Sequence, residues 1–411
     1  MLKQNKFFSI ISITGTALAI TMIMAIIVTD SIKNINAAPE NNRDRALFLT
    51  YQCLIDSMPN GVAEYKGPIF YDIIRNYIPL LQIPELISVY TSPSEILVNP
   101  EISTEKTYYK GRYTDPVYWK ILSFTFLEGK TFNEEEFNSG VCNAIISESA
   151  AKKLFKSESA LGKNISINTQ PYRIIGIVKD VSPVFTEASA DIWMPYTSFS
   201  GMRAFRVMII PKSKGDITAI KEEIRKIEHD YQSGEKTARL YLRGPETNRI
   251  RAMEIGNEAK NNDALIERVK IQNRKIWFIL IVIMLVPAIN LSGLNLSRIK
   301  KRTPEIGVRK AFGAKKHIIL IQILCENLIT SFIGGITGMV LSVLMVFQLR
   351  DWLLNIPSDS SIPFNTIISI PVLISVFVVC VIVNILSAAI PAYRASRLSI
   401  VNSITNNDKK S

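Results

Sequence analysis

Residues 298–316 read RIKKRTPEIGVRKAFGAKK, a basic segment between two long apolar ones. It holds eight Lys or Arg residues and a single acidic residue, Glu305. An excess of positive charge beside a membrane span is typical of the cytoplasmic side. We therefore expect residues 298–317 to form a cytoplasmic loop between two membrane spans.

The same loop carries the signals that begin a short helix. Thr303 suits the N-cap, and Pro304 suits the first helical position, where a missing N–H group costs nothing. Glu305 follows in the first turn, where a negative charge is favourable for the helix dipole. The pattern predicts a helix that starts at Pro304.

Signals that end the helix follow within two turns. Arg309 and Lys310 place positive charge in the last turn, and Arg309 lies four residues after Glu305, the spacing of a helical ion pair. Gly313 suits the left-handed conformation that closes many helices. A capped cytoplasmic helix ending at Phe312 is a structure that an external motor can push.

Four segments are long and apolar enough to cross a hydrocarbon core of about 30 Å at about 1.5 Å per residue. They are Phe7–Thr29, Ile276–Ser297, Ile318–Phe347 and Phe364–Ile390. A cleaved signal peptide is the alternative for the first segment, but its apolar core exceeds the usual length of about 7–15 residues. We expect an α-helical membrane protein with four transmembrane helices and a large extracytoplasmic α+β domain between the first two.

The positive charge of the chain is concentrated at the expected cytoplasmic ends. The 411 residues carry 48 Lys or Arg against 36 Asp or Glu, a net charge of +12. Residues 1–6, 298–317 and 391–411 hold 14 of the basic residues and two acidic ones, which accounts for the whole excess. The charge therefore indicates membrane topology, with both termini in the cytoplasm, and does not predict nucleic-acid binding.

This topology divides the chain into nine parts. We expect an N-terminal tip and first span at 1–29, the extracytoplasmic domain at 30–246, a stalk helix at 247–275, the second span at 276–297, the cytoplasmic loop at 298–317, the third span at 318–347, a short outer loop at 348–363, the fourth span at 364–390 and a cytoplasmic tail at 391–411.

Hydrophobic periodicity predicts several elements of the extracytoplasmic domain. The predicted strands are Ala144–Ser147, Tyr172–Val178, Phe205–Ile210 and Ala238–Leu242, and the predicted helices are Glu148–Phe155 and the amphipathic segment from Ile217 to Tyr231. Residues 41–99 are less regular, with a turn at Pro59-Asn60-Gly61, and we expect a subdomain there.

Several enzymatic and binding chemistries are not supported. Gly129-Lys130-Thr131 matches the end of a phosphate-binding loop, but Phe124 occupies the position of its first glycine. Ser147 and Ser149 lack the context of a hydrolase nucleophile. The two histidines, His229 and His317, form no ligand pattern, so neither a metal nor a cofactor is expected. Whether Cys53 and Cys142 form a disulfide is left open.

Two features of the third span suggest specific roles. Glu326 is its only ionisable residue, and an intramembrane carboxylate is costly enough to suggest function. We favour an ion pair, structural or coupling, with a base such as Lys315 or Arg298 over a site on a transport pathway. Glycines at small-residue spacing predict close helix packing, within the chain or across a dimer. They are Gly334, Gly335 and Gly338.

These segments together resemble the MacB-type family of ABC-transporter permeases, which includes the FtsX-like C-terminal domain. The matches to the FtsX-like domain are Glu305–Ala314, Gln322 with Glu326 and Gly334-Gly335, and Pro391–Ser399. After Ser399 this chain has Ile400-Val401, where the family usually has Pro-Val. The matches to a MacB-like periplasmic core domain are Leu127–Phe132, Ala144–Ser149, Lys153–Phe155, Leu161–Lys163 and Tyr172–Val178.

The resemblance implies a dimeric permease in the inner membrane, made of two copies or of a copy and a paralogue, that works with a cytoplasmic ATPase. Because six residues precede the first span, we expect the ATPase to be a separate polypeptide. It would push on the loop helix through Glu305, Arg309 and Lys310, with Gly307 and Gly313 shaping the turn, and so move the outer domain. A periplasmic adaptor or outer-membrane channel and membrane lipid are further candidate partners.

Two functions fit this expectation. The first is export or extraction of a hydrophobic, peptide or lipid-like substrate at the outer face. The second is FtsX-like signalling, in which the outer domain regulates a cell-wall enzyme and transports nothing. The region expected outside, residues 30–275, has about 246 residues. It is much larger than that of cell-division members, which favours export.

Overall fold

The computed structural model describes residues 36–59, 61–100, 106–156, 158–199, 201, 204–235, 237–253, 262–301 and 303–348, with single helical residues between 14 and 22 and between 374 and 393. The chain forms two compact units. The helical unit comprises Met1–Ser31, Arg274–Leu354 and Pro363–Ser411, and the α+β domain comprises Ile32–Asn273 and Asn355–Ile362.

The α+β domain contains all the strands of the described residues. They are β1 (Leu47–Leu49), β2 (Tyr51–Met58), β3 (Gly61–Gly67), β4 (Leu86–Tyr90), β5 (Ser94–Pro100), β6 (Thr107–Thr114), β7 (Phe126–Gly129), β8 (Asn143–Ser147), β9 (Asn164–Ile167), β10 (Gln170–Val178), β11 (Ile192–Pro195), β12 (Arg206–Ile210), β13 (Ala238–Arg243) and β14 (Glu246–Thr247).

Nine α-helices are described. They are α1 (Tyr71–Asn76), α2 (Pro116–Ile121), α3 (Glu134–Asn138), α4 (Glu148–Phe155), α5 (Ile217–Gly234), α6 (Asn248–Ala252), α7 (Asn262–Lys301), α8 (Thr303–Ala311) and α9 (Lys316–Gln348).

Six strands of the α+β domain close into a ring. The order is β11-β8-β10-β9-β5-β6, and β6 pairs in parallel with β11, which closes the ring. In this last pair Gly111 of β6 lies opposite Ile192 of β11. Alternate residues along these strands are fully buried in one cluster, among them Ile146, Ile174 and Met194. Because every strand of the ring has two neighbours, the ring has no free edge.

The remaining strands build the rest of the domain outward from β6. The large sheet continues from β6 through β4, β12, β1 and β14, while β13, β2 and β3 form a second sheet. The amphipathic helix α5 buries Ile220, Ile224 and Ile227 in the same core as Leu240 and Leu242 of β13. A helix with one apolar stripe is thus covered by a sheet with one apolar face.

The structure confirms the elements that periodicity predicts and adds others. Helix α4 has the predicted bounds, and β8, β10, β12, α5 and β13 coincide with predicted elements within a few residues. The strand β9, which forms a hairpin with β10, is absent from the prediction. No disulfide joins Cys53 to Cys142.

Residues 41–99, where we expect a subdomain, pair with strands from much later in the chain. Strand β1 pairs with β12, with Leu47 opposite Ile209, and β2 pairs with β13, with Tyr51 opposite Arg243. The first strands of the domain are therefore built into both sheets by partners far along the chain.

The expected stalk and spans are described in part. Within the expected stalk, α6 is followed by residues 254–261, which lie outside the described residues, and then by α7, which runs from Asn262 to Lys301. The expected first and fourth spans also fall mostly outside the described residues.

Among the described residues, no helix combines the length and the apolar character that crossing a membrane requires.

A buried carboxylate lies in the loop between β10 and β11. Glu187 is only 1% exposed, and it faces the guanidinium groups of Arg251 and Arg206. Burial by itself raises the pKa of Glu187, but the positive charges of Arg251, Arg206 and Arg112 outweigh it and hold the pKa at about 2. The carboxylate is therefore ionised at every physiological pH.

This shift predicts a specific loss of stability in acid. The pKa of Glu187 falls from 4.5 to about 2 on folding, so the unfolded chain binds more protons between these pH values. The contribution, about 3 kcal/mol at neutral pH, is complete above pH 4.5 and disappears as the pH falls to about 2. Urea denaturation of the parent and of Glu187→Gln at several pH values should show their difference in unfolding free energy shrinking in acid. A difference that stays constant would contradict the assignment.

Candidate coupling site

Helix α8 is a separate short helix between α7 and α9. It begins at Thr303, one residue before the predicted start, and ends at Ala311. Gly313 follows with a φ of +90°, and the N–H group of Ala314 donates to the carbonyl of Arg309 at 3.0 Å. This is the hydrogen bond of a Schellman motif with glycine in the left-handed position, so the predicted closure at Gly313 is confirmed.

A small apolar cluster fixes α8 against the start of α9. Ile306 of α8 is buried with Ile319 and Ile323 of α9, and Ala314 and Leu320 pack against them. The turn between the helices is therefore held by side-chain packing as well as by its backbone. A force on α8 acts directly on the first turns of α9.

A chain of polar contacts runs beside this cluster. The Arg309 guanidinium donates to Glu305 at 2.7 Å and to the Oε1 atom of Gln322 at 2.7 Å. The Nε2 atom of Gln322 donates to Glu326 at 3.2 Å. The Glu305–Arg309 pair is nearly half exposed, so alone it contributes only about 0.3–0.5 kcal/mol. Its value is geometric, because Arg309 joins the exposed face of α8 to the side chain of Glu326.

This arrangement places each predicted coupling residue. Glu305 and Arg309 interact as the i,i+4 spacing predicts, and Gly307 and Lys310 lie in the same helix. The structure connects Glu326 to Arg309 through Gln322, and the expected ion pair of Glu326 with Lys315 or Arg298 stays a prediction.

Two apolar side chains of this segment were missed by the sequence prediction. Phe312 is 88% exposed and Val308 is 49% exposed, and they lie four residues apart. An aromatic side chain that is almost fully exposed beside charged groups is typical of a protein-binding surface. The sequence signal that could have revealed this surface is an aromatic residue, Phe312, at the end of a capped helix in a charged segment. We call Glu305, Val308, Arg309 and Phe312 the coupling face.

The predicted glycine face of α9 is buried at all three positions, Gly334, Gly335 and Gly338. The hydroxyl of Thr21 donates to the carbonyl of Gly338 at 3.2 Å, and a Cβ atom on Gly335 would overlap the Phe377 ring. At these positions the glycines contact other segments of the same chain.

No group of three or more potential metal ligands occurs among the described residues. The coupling face contains no nucleophile or acid–base pair either.

Comparison with known proteins shows two family models in order along the chain. The model of the MacB-like periplasmic core domain matches residues 9–227, and that of the FtsX-like permease C-terminal domain matches residues 277–400. The chain is 24% identical over 420 residues to the macrolide export ATP-binding/permease protein MacB of Escherichia coli K12. The match covers 98% of this chain and 59% of that relative.

Two solved structures are also similar to part of the chain. The extracellular domain of the noncanonic ABC-type transporter YknZ from Gram-positive bacteria has a TM-score of 0.35 at 17% identity, covering 46% of this chain and 99% of that one. The periplasmic region of MacB from Actinobacillus actinomycetemcomitans has a TM-score of 0.33 at 15% identity, covering 49% and 92%. The family assignment rests on the two family models, the first of which alone matches more than half of this chain. The chain therefore belongs to the family of permeases that combine a MacB-like periplasmic core domain with an FtsX-like C-terminal domain.

Proposed function

We propose that this protein is the permease subunit of an ABC transporter that is driven by a separate cytoplasmic ATPase. The observation that carries the proposal is the coupling face, an exposed aromatic and ionic surface on a helix fixed to α9 by Ile306 and Arg309. The ATPase binds the coupling face, and its ATP-dependent movement displaces α8 and α9 together. The membrane placement follows from the four apolar segments and the distribution of basic residues.

The work done is export or extraction of a hydrophobic, peptide or lipid-like substrate by the α+β domain on the outer side of the inner membrane. The size of that domain, Ile32–Asn273 with Asn355–Ile362, supports this function over signalling. A second permease subunit completes the transporter, and an adaptor or outer-membrane channel is a further candidate partner.

The ATPase itself provides the test. We expect the tagged chain, purified from its native membrane, to retain an ATPase that hydrolyses Mg-ATP. Phe312→Ala should weaken ATPase binding about 30-fold and lower the retained activity accordingly, because truncation of a central aromatic anchor costs about 2 kcal/mol or more of binding. The circular dichroism of the permease chain should stay unchanged, since Phe312 is 88% exposed.

The matched control is Tyr108→Ala, which removes another exposed aromatic ring, 68% exposed, from the α+β domain. It should leave the retained ATPase activity unchanged. Equal losses in the two variants would remove Phe312 from the interface. Purification of the parent chain without any ATPase would overturn the proposed function.

A further inference from the structure

The α+β domain holds both of its chain ends on one internal loop. The loop runs from residue 179 to 191, between β10 and β11, and carries the buried Glu187. The first end is the segment 36–45, before β1, and the second is α6, after β14. The first segment begins four residues after Ile32, where the domain starts, and α6 is the last described helix before α7, along which the chain leaves the domain after Asn273.

The first end is bound to the loop through Glu40. Its carboxylate accepts the backbone N–H groups of Glu187 at 2.8 Å and of Ala188 at 2.9 Å. Arg43 pairs with the same carboxylate at 2.6 Å and donates to the carbonyl of Val184. The Glu40 and Arg43 side chains are 4% and 3% exposed, so water does not compete for these contacts.

The second end is bound to the side chain of Glu187. Arg251 of α6 donates to this carboxylate, and its guanidinium lies 4.3 Å from the centre of the Phe48 ring. Helix α6 has only five residues, far fewer than the roughly 12–15 that an isolated helix needs to be even marginally stable. Its position therefore depends on tertiary contacts such as this ion pair.

Glu187 also reaches the large sheet. The hydroxyl of Tyr90 in β4 donates to the Glu187 carboxylate, and Arg206 of β12 lies 3.9 Å from it. Arg112 of β6 donates a hydrogen bond to the backbone carbonyl of Thr186 in the same loop at 2.8 Å. One short loop thus contacts both chain ends and three strands.

From this convergence we infer that Glu187 is a positioning residue for force transmission, holding both ends of the α+β domain rigidly to its sheet. Displacement of either end then moves β4, β6 and β12 and is not absorbed by bending of the loop. The inference rests on the proposed function, because it assigns the route by which an ATP-driven movement enters the domain.

The control is a second buried ion pair. Arg243 and Glu246 are 9% and 3% exposed and lie 2.6 Å apart. They are three residues apart in sequence, so their pairing joins no distant segments. Glu246→Gln and Glu187→Gln therefore remove the same charge from similarly buried pairs, and both lie near the charges of Arg251 and Arg206. Only Glu187→Gln removes the carboxylate that joins the loop to α6, β4 and β12.

The experiment measures amide hydrogen exchange in the purified permease–ATPase complex, with and without ATP plus vanadate. In the parent, ATP should change exchange in 36–45, in α6 and in the strands β4 and β12. In Glu187→Gln the change in β4 and β12 should fall about tenfold while that in α6 persists. Glu246→Gln should respond as the parent does, and Glu187→Asp should recover part of the response.

Two results would overturn the inference. One is a full ATP response of β4 and β12 in Glu187→Gln, and the other is an equal loss of that response in Glu246→Gln, which reports general destabilisation. Failure of the proposed function is recognised separately, because the parent complex itself would then show no response to ATP. In that case, unchanged exchange of α6 and of 36–45 in Glu187→Gln without nucleotide would still overturn the role of Glu187 in holding the chain ends.

Discussion

Alanine in place of Gly129 is expected to destabilise the α+β domain by about 3–5 kcal/mol. Gly129 ends β7 with a φ of +72°, a left-handed conformation that costs little only for glycine. A Cβ atom there would also lie 2.7 Å from Leu161 Cδ1 and 2.9 Å from Gly176 Cα, and would overlap the carbonyl oxygen of Ile175. Since the obstacles are mostly backbone of β10, one of the two strands must shift.

Gly162→Ala is the matched control for this prediction. Gly162 has a φ of +79°, but a Cβ atom there meets nothing within 4 Å. Its substitution should therefore cost only the left-handed conformation, about 1–2 kcal/mol. Urea denaturation of the whole chain, with amide exchange of β10 as the local readout, separates the two. Equal effects would show that the contact with β10 has no energetic weight.

Gly129 also shows how a local motif is interpreted correctly only with its surroundings. The tripeptide Gly129-Lys130-Thr131 matches the end of a phosphate-binding loop, but position 124 and the position outside the membrane argue against nucleotide binding. The structure supplies the positive reason for the glycine. It lies opposite Gly176 in the β7–β10 pair, where the two backbones approach closely.

Much of the α+β domain is predictable because its signals are local. Helix α4 lies between two apolar β-branched strands, and helix α5 repeats isoleucine at three- and four-residue spacing. Ser147 accepts from the N–H of Ala150 at the start of α4, so the capping chemistry agrees with the periodicity. Each of these elements can be recognised within about 20 residues.

The topology at residues 41–99 is not predictable in this way. Strand β1 has three residues, and its partner β12 lies some 160 residues later, with Phe48 opposite Met208. Hydrophobic periodicity shows which residues of a strand face the core, but it does not identify the strand with which it pairs. The same applies to the Glu187 cluster, whose partners Glu40 and Arg251 lie 147 and 64 residues away.

In the coupling site, too, the local features are predictable from the sequence and those that depend on packing are not. The caps of α8 and the Glu305–Arg309 pair are set by spacing within one helix and follow from the sequence. The contact of Arg309 with Gln322 and the exposure of Phe312 depend on the angle between α8 and α9, which packing of Ile306 on Ile319 and Ile323 determines. No local pattern encodes that angle.

Charge reversal at Arg309 is expected to separate ATP hydrolysis from movement of the α+β domain. Arg309→Glu removes the hydrogen bonds to Glu305 and Gln322 and places a third carboxylate beside those of Glu305 and Glu326. Exposed pairs of this kind contribute below about 1 kcal/mol each, and the Ile306 cluster remains, so α8 should stay folded. Arg309 belongs to the coupling face, but an exposed ionic contact contributes at most about 1 kcal/mol. With the Phe312 anchor intact, the ATPase should therefore remain bound, somewhat more weakly, and hydrolyse ATP.

What the variant should lose is the transmitted movement. We expect the ATP-dependent change in amide exchange within β4 and β12 to fall about tenfold, while ATP hydrolysis continues. Lys315→Glu is the matched control, because it makes the same change of charge in the same loop at an exposed residue beyond Gly313. It should transmit the movement as the parent does.

If Arg309→Glu left both hydrolysis and the exchange response unchanged, Arg309 would have no part in coupling. An equal loss in Lys315→Glu would instead assign the effect to the net charge of the loop. The comparison therefore separates a specific contact between α8 and α9 from the general electrostatics of a basic cytoplasmic segment. Only the specific contact explains why Arg309 meets both Glu305 and Gln322.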